Sequence, residues 1–185
     1  MKKIIIVTSA IIVVAVFIII GFGVYKFNFT NDDIYIATGG KIDSKDGTYS
    51  IDGEAVTLKN GYYEKVIVAG AATKEITRYF GNEVAADFNN DGVNDAAFLL
   101  TRESGGSGTF FYIVAQLSKG QSFVGTNAIF IGDRIAPQST EFRDGMIIVN
   151  YADRKPGESF SVSPSVGVSK YYRIIDNKLT EVALK

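Results

Sequence analysis

The sequence contains no cysteine, no histidine and no tryptophan, and only three prolines among its 185 residues. Without cysteine the chain forms no disulfide and carries no lipoprotein anchor, so a folded part must be stabilised by its core or by a bound ion. Without histidine, Ser-His-Asp and Cys-His constellations and His-based zinc sites cannot be built. No Ser-x-x-Lys occurs, which removes the commonest serine–lysine arrangement. A strong charge of either sign is also missing. Taking Lys2 and Lys3 from the 19 basic residues leaves 17 against 20 acidic ones, a balance of −3 that gives no support to nucleic-acid binding.

What is abundant is aromatic and β-branched. Thirteen Phe and ten Tyr suit a β-rich core better than a helical bundle. The one long hydrophobic run, Ile4 to Tyr25, has 22 residues without a charge. At about 1.5 Å per residue such a helix spans a hydrocarbon core of about 30 Å. A cleavable signal peptide has a shorter apolar region and a small-x-small cleavage site, for which Gly21-Phe22-Gly23 is the only weak candidate. The expectation is an uncleaved signal-anchor over residues 4–25, with a cleaved signal as the alternative. Lys2 and Lys3 then keep the N-terminus in the cytoplasm, although Lys26 weakens the asymmetry. Residues 26–33 read as a polar stalk, and residues 34–185 as one exported domain of adequate size for a core.

Within that domain, Asp87-Phe88-Asn89-Asn90-Asp91-Gly92-Val93-Asn94-Asp95 carries oxygen donors at positions 1, 3, 5 and 9 around a glycine. Calcium collects 6 to 8 oxygens from carboxylates, amides and backbone carbonyls. In a tight loop the side chains of Asp87, Asn89 and Asp91 face one centre, the carbonyl of Val93 adds to them, and Asp95 closes the shell. An EF-hand is excluded, because its position 12 requires Glu and here is Phe98. The apolar flanks read as strands. The alternative is an Asx-rich turn with no metal.

The rest is punctuated by turn signals. Asp52-Gly53, Asn60-Gly61, Asp144-Gly145 and Asp176-Asn177 each separate short runs of β-forming residues. Residues 109–117 and 128–131 are further strand candidates, and 73–80 is a strand or a short helix. The expected fold is all-β, a mostly antiparallel meander closed into a sandwich or partial barrel, following one transmembrane helix. A full propeller is not expected, because there is one such loop and no repeat.

Three further segments draw notice. Ser104-Gly105-Gly106-Ser107-Gly108-Thr109 lacks the Lys-Ser/Thr ending of a phosphate loop and reads as a flexible hairpin loop, with its tip expected near the Asp87–Asp95 loop. Asp133-Arg134 reads as a surface salt bridge. Residues 153–166, with two of the three prolines, read as a long surface loop.

The Asp-x-Asn-x-Asp-Gly-x-x-Asp loop resembles those of FG-GAP repeats in integrin α and bacterial propellers. At larger scale, Asp87 to Asp95, Gly105 to Phe110 and Gly132 to Arg134 resemble a group of uncharacterised bacterial membrane-anchored exported domains. That resemblance implies a structural calcium ion and no assigned activity. Asn90 stands where that group commonly has glycine.

The sequence therefore predicts a single-pass membrane protein with an extracytoplasmic calcium-binding β domain and a non-catalytic binding or structural role. A protein or glycan at the cell surface is the expected partner. No catalytic residue is nominated. A carboxylate-pair hydrolase acting on envelope glycan, or an accessory subunit of an envelope complex, is the alternative.

Overall fold

Turn chemistry sets the local structure. The computed structural model describes residues 43–67, 70, 73–120 and 122–183. The expected anchor at 4–25 and stalk at 26–33 lie outside these residues. Asp52-Gly53 (φ 51° and 84°), Asn60-Gly61 (52° and 76°), Asp144-Gly145 (54° and 70°) and Asp176-Asn177 (52° and 59°) all place two successive residues in the left-handed region. That is the backbone of the two-residue turns whose twist matches paired strands.

Twelve strands are formed among the described residues, and no helix: β1 Gly47–Ile51, β2 Glu54–Leu58, β3 Tyr62–Val66, β4 Lys74–Ala86, β5 Asp95–Glu103, β6 Phe110–Lys119, β7 Ser122–Gly125, β8 Ile129–Asp133, β9 Ala136–Arg143, β10 Met146–Asp153, β11 Val166–Ile175 and β12 Lys178–Val182. The domain is all-β, and its strand pairs are antiparallel. Three sheets result: the β1-β2 hairpin, a six-stranded sheet in the order β3-β4-β5-β6-β7 with β8 also on β6, and a four-stranded sheet in the order β12-β11-β10-β9. One edge of β6 serves two partners. Its Gln116–Lys119 end pairs with β7 and its Phe110–Ile113 end with β8.

The Asn60-Gly61 turn reverses the chain, but β2 and β3 share only the Lys59–Tyr62 bridge. It hands the chain from the small hairpin to the large sheet. Of residues 73–80, open between strand and helix in sequence, all but Thr73 belong to β4, a strand of 13 residues whose register with β5 slips around Gly81 (φ 111°) and Asn82 (φ 49°). Such irregularities bend a strand.

β5 and β6 are buried on both faces, which is why they read as nearly continuous apolar runs rather than alternating ones. On one face Ala97, Leu99, Phe111, Ile113, Ala115 and Leu117 pack with Ile147, Val149 and Tyr151 of β10, Tyr172 of β11 and Leu179 of β12. On the other, Ala96, Phe98, Leu100 and Val114 pack with Tyr49, Ile51, Val56 and Leu58 of the β1-β2 hairpin. The large sheet is thus a middle layer. Backbone bonds from Ser50 N–H to the Thr126 carbonyl (3.2 Å) and from Ala128 N–H to the Ser50 carbonyl (2.7 Å) stitch β1 to the β7–β8 connection.

Candidate functional site

β5 carries a distinct polar loop at each end. At its start, the Asp87–Asp95 loop joins β4 to β5 and is curled by its own side chains. Asp87 accepts the N–H groups of Asp91 (3.1 Å) and Gly92 (2.9 Å) on its two oxygens. Asn89 Oδ1 also accepts Asp91 N–H (3.0 Å), Asn89 Nδ2 donates to Asp91 Oδ2 (2.9 Å), and Asp91 Oδ1 accepts Val93 N–H (2.9 Å). Asn90 (φ 61°) and Gly92 (φ 87°) supply the left-handed residues that the curl requires.

Asp95 differs from the others. It is 0% exposed and accepts Phe88 N–H (3.1 Å) on one oxygen and Ser118 N–H (2.8 Å) on the other. It therefore ties the start of the loop to the end of β6. Burial pushes its carboxyl up to about 6; the Ser118 and Phe88 N–H groups oppose this, and Asp91 and Asp87 add to it. Among the described residues, no three acidic side chains are gathered closely enough to hold a metal ion. The loop's oxygens are engaged instead by its own N–H groups. In donor chemistry the set still suits a hard cation, because every donor is oxygen and each carboxylate oxygen keeps a second lone pair.

The Gly105–Gly108 loop is not beside this one, contrary to expectation. It leaves β5 at Glu103, at the far end of a nine-residue strand. At about 3.3 Å per residue the two loops stand roughly 27 Å apart. A strand that connects two loops separates them.

That far end gathers two polar groups. In the first, Arg134 closes on Asp133 through two bonds (3.0 and 2.6 Å), Thr109 N–H also donates to Asp133 (3.0 Å), and Arg134 N–H donates to the Thr109 carbonyl (2.8 Å). Arg134 has the left-handed φ of 50° and stacks 3.6 Å from the centre of the Phe160 ring. Arg154 donates to the carbonyls of Arg134 (2.8 Å) and Val162 (2.5 Å). The glycine loop, Gly132-Asp133-Arg134 and the 153–166 loop thus converge. Asp133–Arg134 is an ion pair as expected, and it also fastens two loops.

The second group was not foreseen from the sequence. Arg102 of β5, only 11% exposed, bonds Glu75 of β4, Asp52 of the β1-β2 turn (2.9 Å) and, more loosely, Glu54 (3.4 Å). The Tyr112 hydroxyl donates to Asp52 (3.0 Å), and burial followed by that bond pushes its own pKa up to about 12, so it remains a donor. Asp52, Glu75, Arg102, Ser104, Phe110 and Tyr112 line a cleft of about 240 Å³. A lone Arg at the end of an apolar run is the only signal the sequence holds. Its partners lie 27 to 50 residues away.

No family model, curated protein or solved structure matches the chain.

Proposed function

We propose that this chain is a membrane-anchored, extracytoplasmic β domain that binds one calcium ion through Asp87, Asn89, Asp91, the Val93 carbonyl and Asp95. Its role at the cell surface is binding or structural rather than catalytic. In this reading residues 4–25 cross the membrane with the N-terminus in the cytoplasm, and the three sheets form a sandwich with partial-barrel curvature.

One observation carries the calcium reading. Among the described residues, no Lys or Arg forms an ion pair with any of the three carboxylates in this nine-residue loop. Some acids of the domain, such as Glu54, Glu64, Glu75 and Asp133, have a cationic partner; others, such as Glu83 and Glu141, have none among the described residues, but they do not stand three to a nine-residue turn. Like charges confined to one turn repel one another, and a cation among them relieves that repulsion beyond what the loop's own N–H groups do. To admit calcium, the Asn89 and Asp91 side chains turn from each other toward the ion. The Asp95 oxygens keep their N–H bonds and use remaining lone pairs.

The ion is a structural staple. Extracellular calcium modules typically bind at about 10⁻⁴ to 10⁻³ M, so 10 mM calcium stabilises by about 1.4–2.7 kcal/mol. For a domain of this size that raises Tm by about 3–10 °C. Thermal unfolding of the full-length chain in 10 mM calcium against chelator tests the proposal. The rise is expected in the native chain and absent in Asp91→Ala. An unchanged midpoint in the native chain contradicts calcium binding.

A further inference from the structure

The Arg102 cleft has polar capacity that the fold does not use. Asp52 accepts both Arg102 and Tyr112 on the same oxygen, Oδ2, and Glu75 accepts Arg102 on Oε1. Among the described residues, Asp52 Oδ1, Glu75 Oε2 and the Ser104 hydroxyl have no protein hydrogen-bond partner and belong to residues that line the cleft, Asp52 and Ser104 being exposed there, whereas Arg102 Nε, also without a partner, is buried away from it. Oxygen acceptors left over on the lining suit the N–H donors of an ammonium group.

Charge and shape agree with that match. Two carboxylates and one guanidinium line the cleft, which leaves one negative charge over. An anion drawn to Arg102 would meet Asp52, Glu54 and Glu75 already on that guanidinium. The walls are the rings of Phe110 and Tyr112. Phe130, itself 48% exposed, packs beside both, with ring centres 6.3 and 5.6 Å away. Aromatic faces attract a cation and accommodate the alkyl stem behind it. A volume of about 240 Å³ is below the range of about 300–1,000 Å³ usual for whole small-molecule ligands. It suits a group the size of one side chain.

We propose that the cleft between the β1-β2 turn and the β4-β5-β6 surface is a receptor for a single alkylammonium group, carried by a small free amine or by a lysine side chain. The site is separate from the calcium loop and does not depend on it.

The test is an NMR titration of the full-length, amide-labelled chain at neutral pH. The probes are n-butylammonium, a lysine tripeptide, the same tripeptide acetylated on Nζ, and acetate. The backbone signals of residues 102–112 are expected to shift saturably with the two amines and to stay fixed with the acetylated peptide and acetate. A tripeptide bound more than tenfold tighter than butylammonium identifies polypeptide lysine as the source; equal affinities identify a free amine. Asp52→Asn keeps the bonds to Arg102 and Tyr112 and is expected to weaken butylammonium about tenfold, as loss of one charge-assisted bond does. Ser104→Ala is expected to weaken it by a smaller factor. Melting curves verify that each variant is folded. The proposal is overturned if folded Asp52→Asn binds butylammonium as the native chain does, if acetate moves the same signals, or if no amine moves them.

Discussion

Asp91 and Asp95 occupy one loop, but they hold different places in it. Asp91 is exposed and bonded within the turn, whereas Asp95 is buried and accepts two N–H groups from different parts of the chain. In chelator, Asp95→Ala leaves the Phe88 and Ser118 N–H groups without their acceptor. At about 1–3 kcal/mol for each buried unsatisfied group, the expected loss is about 2–6 kcal/mol in urea unfolding. Asp91→Ala under the same conditions costs less than about 1 kcal/mol. Asp133 supports a prediction about pH. The bidentate Arg134 holds its carboxyl below the usual carboxylate range, against the cost of burial and with help from Thr109 N–H and Arg154. A depressed folded-state pKa contributes stability above the unfolded value of about 3.9, and that stability is lost as pH falls through the folded-state value. Asp133→Asn is therefore expected to be less stable than the native chain at pH 7, by about 1 kcal/mol. The gap closes below about pH 4. A gap independent of pH would contradict the role assigned to this ion pair.

Among elements, the β1-β2 hairpin is held to the large sheet at a narrow seam. A Cβ placed on Gly125 would lie 2.2 Å from the Thr48 carbonyl oxygen and 2.6 Å from the Tyr49 ring. Backbone cannot yield as a flexible side-chain tip can, so Gly125→Ala is expected to cost about 1–3 kcal/mol, measured by equilibrium unfolding. Beneath the same hairpin, Phe98 is fully buried between Tyr49 and Tyr79, with ring centres 5.6 and 5.2 Å away. Phe98→Ala is expected to cost about 3–5 kcal/mol. The turns at Asp52-Gly53, Asp144-Gly145 and Asp176-Asn177 were legible in sequence because their left-handed residues are local necessities. The direction of the chain at Asn60-Gly61 was legible for the same reason, but the change of sheet was not, since pairing is decided by distant strands. The polar composition of the Asp87–Asp95 loop was legible, whereas the inward commitment of Asp95 to Ser118 was not. The Arg102 cleft was the least legible feature. Residues 52, 54, 75, 102 and 112 become neighbours only through the register of β4, β5 and β6 and the hairpin laid over them.

At the scale of the domain, a middle sheet buried on both faces supplies rigidity without disulfides and keeps two polar ends apart. The calcium reading belongs to one end and the ammonium cleft to the other. Substitutions in the cleft are therefore expected to leave the calcium-dependent rise in Tm intact, because residues this far apart with no shared partner act additively. The central claim concerns the loop, and a crystal structure of the chain grown in 10 mM calcium tests it most directly. The account predicts an ion at about 2.3–2.6 Å from oxygens of Asp87, Asn89, Asp91, Val93 and Asp95, with Asn89 Nδ2 released from Asp91. A loop whose carboxylates still bond only N–H groups and water at that calcium concentration would contradict it.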